Sequence, residues 1–165
     1  MEEILFYIFG ALAVLSAAGV VLSTKSTINS ALYLVVSMLS LAVLFVMLRA
    51  EFVGVLQVMV YAGAIVVLFL FVIMLLNLDE GDMGPPSQPV LKAVGAVVIL
   101  GATVKLASLL RAGPRVVPEL PDGFGQVREV GTILFTDYLL AFELTGILLL
   151  AGIVGAVMLA KKTVD

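Results

Sequence analysis

Five long apolar stretches constrain this chain more than anything else in it. Residues 4–22, 28–48 and 52–78 run for 19, 21 and 27 residues without a charge. Residues 90–110 run for 21 with only Lys92 and Lys105, and residues 133–160 run for 28 with only Asp137 and Glu143. A bilayer core needs about 20 apolar residues in a helix, and none of the five alternates in polarity as barrel strands would. The expected fold is therefore an all-α integral membrane protein of five transmembrane helices, a single membrane domain over 1–165 with no soluble domain. One soluble core would not hold such a chain. Of its 165 residues 62% are hydrophobic and 13% charged, against about 25% charged in soluble domains.

Two connections are long enough to notice. Residues 79–89 hold Asp79, Glu80 and Asp82 among Gly and Pro, an acidic solvent turn. Residues 111–132 hold Pro114, Pro118, Pro121 and four Gly, a Pro/Gly-rich extramembrane loop. The first stretch follows Met1-Glu2-Glu3, where a cleaved leader needs positive charge, so it is expected to remain as a helix. Five spans place Arg49, Arg111, Arg115 and Arg128 on one side and Lys25, Lys92, Lys161 and Lys162 on the other. Four against four does not orient the chain.

Several chemistries are excluded at once. The net charge is −3 and no basic run exists to hold a phosphate backbone, so nucleic acid is not a partner. Without Cys or His there is no disulfide, no thiolate or imidazole metal site and no His acid/base. No phosphate loop or nucleophile–base pair occurs, so no catalytic residue, metal site or cofactor is expected in this chain alone.

Polar groups inside a span are where function usually lies. In the third stretch Gly54, Gln57, Tyr61 and Ala64 follow 3, 4, 3 spacing and share one face of a regular helix. Such a face serves either as a helix–helix contact or as the lining of a wetted path. Tyr61 lies about ten residues into its stretch, where its hydroxyl needs a partner, and Ala62-Gly63-Ala64 beside it has little bulk and, at Gly63, low helix propensity. In the second stretch Ser30, Tyr33, Ser37 and Ser40 share a spacing, and their hydroxyls are expected to bond back to their own helix. Glu143 is a possible buried acid: deep if its helix enters the core at Ile133, about one turn below the surface if at Tyr138. A charge at mid-bilayer costs about 2.5–3.5 kcal/mol. Lys105 can snorkel from the end of its span, and Glu51 favours a helix N-terminus.

The run Glu51 to Asn77, above all Tyr61-Ala62-Gly63-Ala64-Ile65 with the Val-Leu-Phe-Leu-Phe-Val that follows, resembles the third helix of the subunit J family of bacterial proton-pumping NADH–quinone oxidoreductase, homologous to mitochondrial NADH dehydrogenase subunit 6. Leu134 to Ala160 is similar to that family's last helix, with Ala141 where many members have Pro before Phe-Glu. The resemblance implies a non-catalytic membrane subunit in the bacterial inner membrane, N-terminus outside and C-terminus cytoplasmic. Its partners would be the lipid bilayer and other membrane subunits, notably those flanking the quinone site and the first antiporter-like channel. FMN, iron–sulfur clusters, NADH and quinone would belong to the rest of the complex. The family's third helix carries a π-bulge, which maps here to Tyr61 and Gly63, and its conversion to regular helix is thought to open or close a water path. Val60, Val67 or Phe69 would then replace Tyr61 and Gly63 along a lumen, with Gln57 on the same helix, and an apolar constriction gates by dewetting. The alternatives are the equivalent subunit of a related antiporter or membrane-hydrogenase complex, an independent small transporter, and a passive packing scaffold.

Overall fold

The structure, a computed structural model, describes residues 1–23, 26–76, 89–112, 119 and 123–161. The acidic connection expected at 79–89 lies outside them up to Gln88, as do residues 113–118 and 120–122 of the Pro/Gly-rich one. The regular elements are α1 (Glu2–Leu22), α2 (Thr27–Met47), α3 (Glu51–Leu56), a π-helix (Gln57–Val66), α4 (Val67–Leu76), α5 (Pro89–Ala112), α6 (Val127–Thr136) and α7 (Leu139–Ala160). α3, the π-helix and α4 run on without interruption as one 26-residue rod. Five helical segments are long and apolar enough to cross a membrane: Glu2–Leu22, Thr27–Met47, Glu51–Leu76, Ala93–Arg111 and Leu139–Ala160. The protein is all-α and spans the membrane several times.

α2 is the hub, packing against α1 on one side and against the whole third span on the other. Its buried residues are small: Ala31, Ser37, Ser40 and Ala42. In lipid, where apolar side chains gain little from leaving the solvent, small residues let backbones approach and dispersion and hydrogen bonds hold the pair. Two glycines mark the closest approaches. A Cβ on Gly19 would lie 2.8 Å from the Tyr33 ring, and one on Gly54 would lie 2.8 Å from Val46 Cγ2 and 3.1 Å from the Ala42 carbonyl oxygen. The expectation that the α2 hydroxyls bond back to their own helix holds for Ser40, whose Oγ donates to Val36. It fails for two others. Ser37 Oγ donates to the Ala13 carbonyl of α1 at 3.4 Å, and Ser30 Oγ donates to the Ser23 carbonyl at its end, at 2.9 Å. Both lie on the face packed against α1, where a carbonyl across the interface is in reach.

The turn between α2 and α3 is tight. The Ala50 N–H donates to the Phe45 carbonyl at 2.9 Å and the Arg49 N–H to that of Val46 at 3.1 Å. This is the paired closure of a Schellman end, with Arg49 at φ 63° in the left-handed position glycine usually fills.

The stretch at 133–160, expected as one span, is two helices. The N–H groups of Asp137 and Tyr138 both donate to the Ile133 carbonyl, at 3.0 and 3.1 Å, so the register is lost there. Phe135 and Phe142 meet edge-on across the break, their ring centroids 4.8 Å apart. α6 begins at Val127, within the stretch expected to be loop, because Val127, Val130 and Leu134 make one apolar stripe opposite Arg128, Glu129 and Thr132. Among the described elements α7 touches only α6, and α5 touches none.

Gly54→Val is expected to destabilise the α2–α3 pair by about 1–3 kcal/mol through overpacking. The check is the temperature at which the detergent-solubilised protein loses its helical circular dichroism, which should fall relative to wild type.

Candidate functional site

The third span breaks the rule the other spans keep. Over Gln57–Val66 it is a π-helix, in which N–H groups reach the carbonyl five residues back instead of four, a form found mostly as single turns at functional sites. The sequence permits it locally. Ala62-Gly63-Ala64 puts no bulk into the widened turns, and a Cβ on Gly63 would sit 3.1 Å from the Val58 carbonyl oxygen five residues back. At the entry the Gln57 N–H is shared between the carbonyls of Val53 and Gly54.

The widened turns shift the phase of the rod. The residues buried against α2 are Gly54 and Gln57, then Ala62, Val66 and Ile73. The step from 57 to 62 is five residues. Tyr61 and Ala64, expected to share a face with Gly54 and Gln57, are therefore turned outward; Tyr61 is 50% exposed. That expectation assumed 3.6 residues per turn, and the extra residue in the π turn carried the stripe on by one.

The structure thus divides the candidate residues. Gln57 faces inward, 8% exposed, and its Nε2 donates to Met38 Sδ of α2 at 2.9 Å. A thioether is a weak acceptor, so the amide is held more by packing than by this bond. Val60, Tyr61, Gly63, Val67 and Phe69 all lie on exposed surface of the rod. Glu143 belongs to neither group: it sits in the second turn of α7, which does not touch the third span. With α7 starting at Leu139, Glu143 lies about one turn from its helix start.

Sequence reasoning missed the partners of the inward face. Among the described residues the buried polar side chains are Ser16, Ser37, Ser40 and Gln57. Ser16 Oγ donates to Leu12 and Ala13 of its own helix, and the spacing of a lone serine carried no signal. The surroundings are free of charge, residues 52–78 having none. Two apolar grooves flank the rod: one of about 520 Å³ beside Val46, Gly54 and Val55, and one of about 310 Å³ between Ile28 and the Val67–Phe71–Met74 side of α4. Among the described residues no three His, Cys, Asp or Glu come together. Within Gln57–Val66 the Tyr61 phenol is the only ionisable side chain.

Residues 16–159 match the family model described as NADH-ubiquinone/plastoquinone oxidoreductase chain 6. The chain belongs to that family. It is 38% identical over 166 residues to NADH-quinone oxidoreductase subunit J of Rhodobacter capsulatus, covering 95% of this chain and 80% of the relative. It is 36% identical to subunit J of Escherichia coli (97% and 87% covered) and 36% identical to NAD(P)H-quinone oxidoreductase chain 6 of Nostoc sp. (98% and 80%). As a member of the chain 6 family it acts as part of an oxidoreductase complex and not as an enzyme alone. Iron–sulfur clusters need thiolate ligands, and this chain has no Cys, so its residues do not fit such a group.

Because the Gln57 amide rests on a thioether, Gln57→Met should leave the amount of assembled complex in membranes within about 1 kcal/mol equivalent of wild type. Gln57→Glu buries an acid in the same place and should lower it markedly, by up to about 2.5–3.5 kcal/mol. Native gels of solubilised membranes read both.

Proposed function

We propose that this chain is the coupling subunit of a proton-translocating NADH–quinone oxidoreductase, and that its third span switches between the π form and a regular α-helix to gate a water path. The observation that carries this reading is the ten-residue π-helix set in the middle of an uncharged span. A π turn holds one residue more than an α turn, so ironing it out rotates one half of the rod against the other by about 100°, one residue of helical pitch. Tyr61 and Val60 differ by that angle, and Phe69 and Val67 ride on the half beyond. A polar hydroxyl and a glycine would give way to apolar side chains along the surface turned to neighbouring subunits, and an apolar constriction stops water by dewetting. The energy to bias the two forms would come from quinone reduction in adjoining subunits, acting on a two-state element. The subunits on either side would be those of the quinone site and of the first antiporter-like channel. The N-terminus would lie outside and the C-terminus in the cytoplasm of a bacterial inner membrane.

The glycine at 63 supplies the test. A Cβ there lies 3.1 Å from the Val58 carbonyl oxygen, the acceptor five residues back that is particular to the π form, so Gly63→Val is expected to shift the balance between the two forms. A bias of about 1–2 kcal/mol changes the ratio of the two forms by about 5–30-fold. NADH-driven proton uptake by inverted membrane vesicles should fall in Gly63→Val while the amount of complex and the NADH:quinone rate with an uncoupler stay near wild type. Tyr61→Phe should be milder. Parallel loss of complex and activity in Gly63→Val would reduce the third span to a packing element.

A further inference from the structure

The connection that precedes α6 returns to the head of the third span and closes on it. The Gly125 carbonyl accepts the Phe52 N–H at 3.0 Å, one of the first-turn donors that a helix cannot satisfy internally. α3 has no side-chain cap of its own, so a backbone carbonyl from a segment more than seventy residues away in sequence serves as the cap. The fit admits only glycine: Gly125 has φ 75°, and a Cβ there would overlap the Arg49 carbonyl oxygen and lie 3.0 Å from Ala50 Cα. One turn on, Gly54 is wedged against Val46 and Ala42, and Gln57 is buried against Met38.

Beyond the π-helix the rod is held differently. Of Val67–Leu76 only Ile73 is buried, and an open apolar groove separates Val67, Phe71 and Met74 from Ile28 at the start of α2.

We infer that Gly125 is a positioning residue that fixes the N-terminal part of the third span, Glu51–Gln57, so that a change between π and α forms turns Val67–Leu76 and leaves Glu51–Gln57 in place. This rests on the switch proposed above and adds which end moves and what holds the other. A rod that changes phase in its middle needs one fixed end; with both ends free the rotation would be shared between them. The head is fixed by a carbonyl cap, a glycine without room for a methyl group and two inward contacts, whereas the tail faces a groove into which side chains can turn.

The chain contains no cysteine, so an introduced pair supplies its only thiols, and the wild-type complex treated with the same reagent gives the background from the other subunits. In the intact complex in membrane vesicles, a short bifunctional methanethiosulfonate reagent is applied to Val46→Cys/Val55→Cys, which line the groove at the head, and to Ile28→Cys/Phe71→Cys, which line the groove at the tail. Cross-linking is scored by mass spectrometry, and NADH-driven proton uptake per quinone reduced is measured before and after dithiothreitol. The expected result is that the head clip leaves the ratio unchanged while the tail clip lowers it severalfold, restored by dithiothreitol. Loss with the head clip, alone or together with the tail clip, overturns the fixed-head inference but leaves a switch in place. No loss with either clip overturns the switch itself. A third variant addresses the glycine. Gly125→Ala should lower the ratio, whereas Gly123→Ala, also at positive φ (85°) but with only the Gln126 side chain at 3.7 Å, should do so much less. An unchanged ratio in assembled Gly125→Ala complex overturns the role of Gly125, and the clips decide the rest whether or not that variant assembles.

Discussion

Hydrocarbon offers a backbone no second partner. Each N–H in the core of a bilayer has to find an acceptor inside its own helix, at a cost of several kcal/mol if it fails. Most ways of bending or twisting a transmembrane helix violate that demand. A π segment does not: every donor keeps an acceptor, only one residue further back, and what changes is phase. The third span uses this latitude over Gln57–Val66, and the arrangement of the chain around it follows from the same demand. At the head of this span, where the first turn leaves backbone donors open, the Phe52 N–H is met by the Gly125 carbonyl.

The packing of α2 follows a related logic. Lipid removes most of the hydrophobic advantage of helix association, so close approach decides which helices hold together. Ala31, Ser37, Ser40 and Ala42 are the buried residues of α2, Gly19 approaches Tyr33 and Gly54 approaches Val46 and Ala42, and serine hydroxyls crossing to Ala13 and Ser23 add directed bonds. The result is a three-span unit with a firm seam. The π-helix lies at the edge of that seam with one side buried through Gln57, Ala62 and Val66 and the other side open. A defect buried on every side could not change phase without displacing its neighbours; one with no packed side would have nothing to turn against.

The five spans were legible because length and lack of charge are strong, additive signals over twenty residues. Their finer features were not. The stripe Gly54–Gln57–Tyr61–Ala64 was written with a 3.6-residue period, and a single extra residue per turn put Ala62 in the place of Tyr61. Nothing in the composition of Gln57–Val66 demands that extra residue; Ala62-Gly63-Ala64 only permits it, and it was the resemblance to a family that placed it there. The break at Asp137–Tyr138 was hidden for the opposite reason. Greasy residues continue on both sides of it, so the hydropathy signal fused α6 and α7, while the amphipathic stripe Val127–Val130–Leu134 was short enough to pass for loop. Gly125 read only as one of several glycines in a turn-rich segment. Its meaning depends on Arg49 and Ala50, and a contact across so many residues leaves no local trace.

α5 and α7 show that the chain is not a finished bundle. Neither packs on another span of the described chain, yet both are transmembrane by length and composition. In water such helices would be driven inward by their own surfaces. In a bilayer they are stable singly, and only a close-packing partner draws them out of lipid. A monomeric transporter needs its spans around a shared cavity, and an arrangement with two spans standing free provides none. A subunit that fits between others needs the reverse: a firm unit of α1, α2 and the third span, and free helices for neighbouring chains to receive. The Phe135–Phe142 contact at the α6–α7 break and the Gly125 cap at the head of the third span lie on the same connection. The free helix α7 and the rod with the π segment are thereby tied through one short stretch of backbone. A neighbour that seated α7 would therefore also bear on the head of the rod, the end proposed above to be fixed by Gly125.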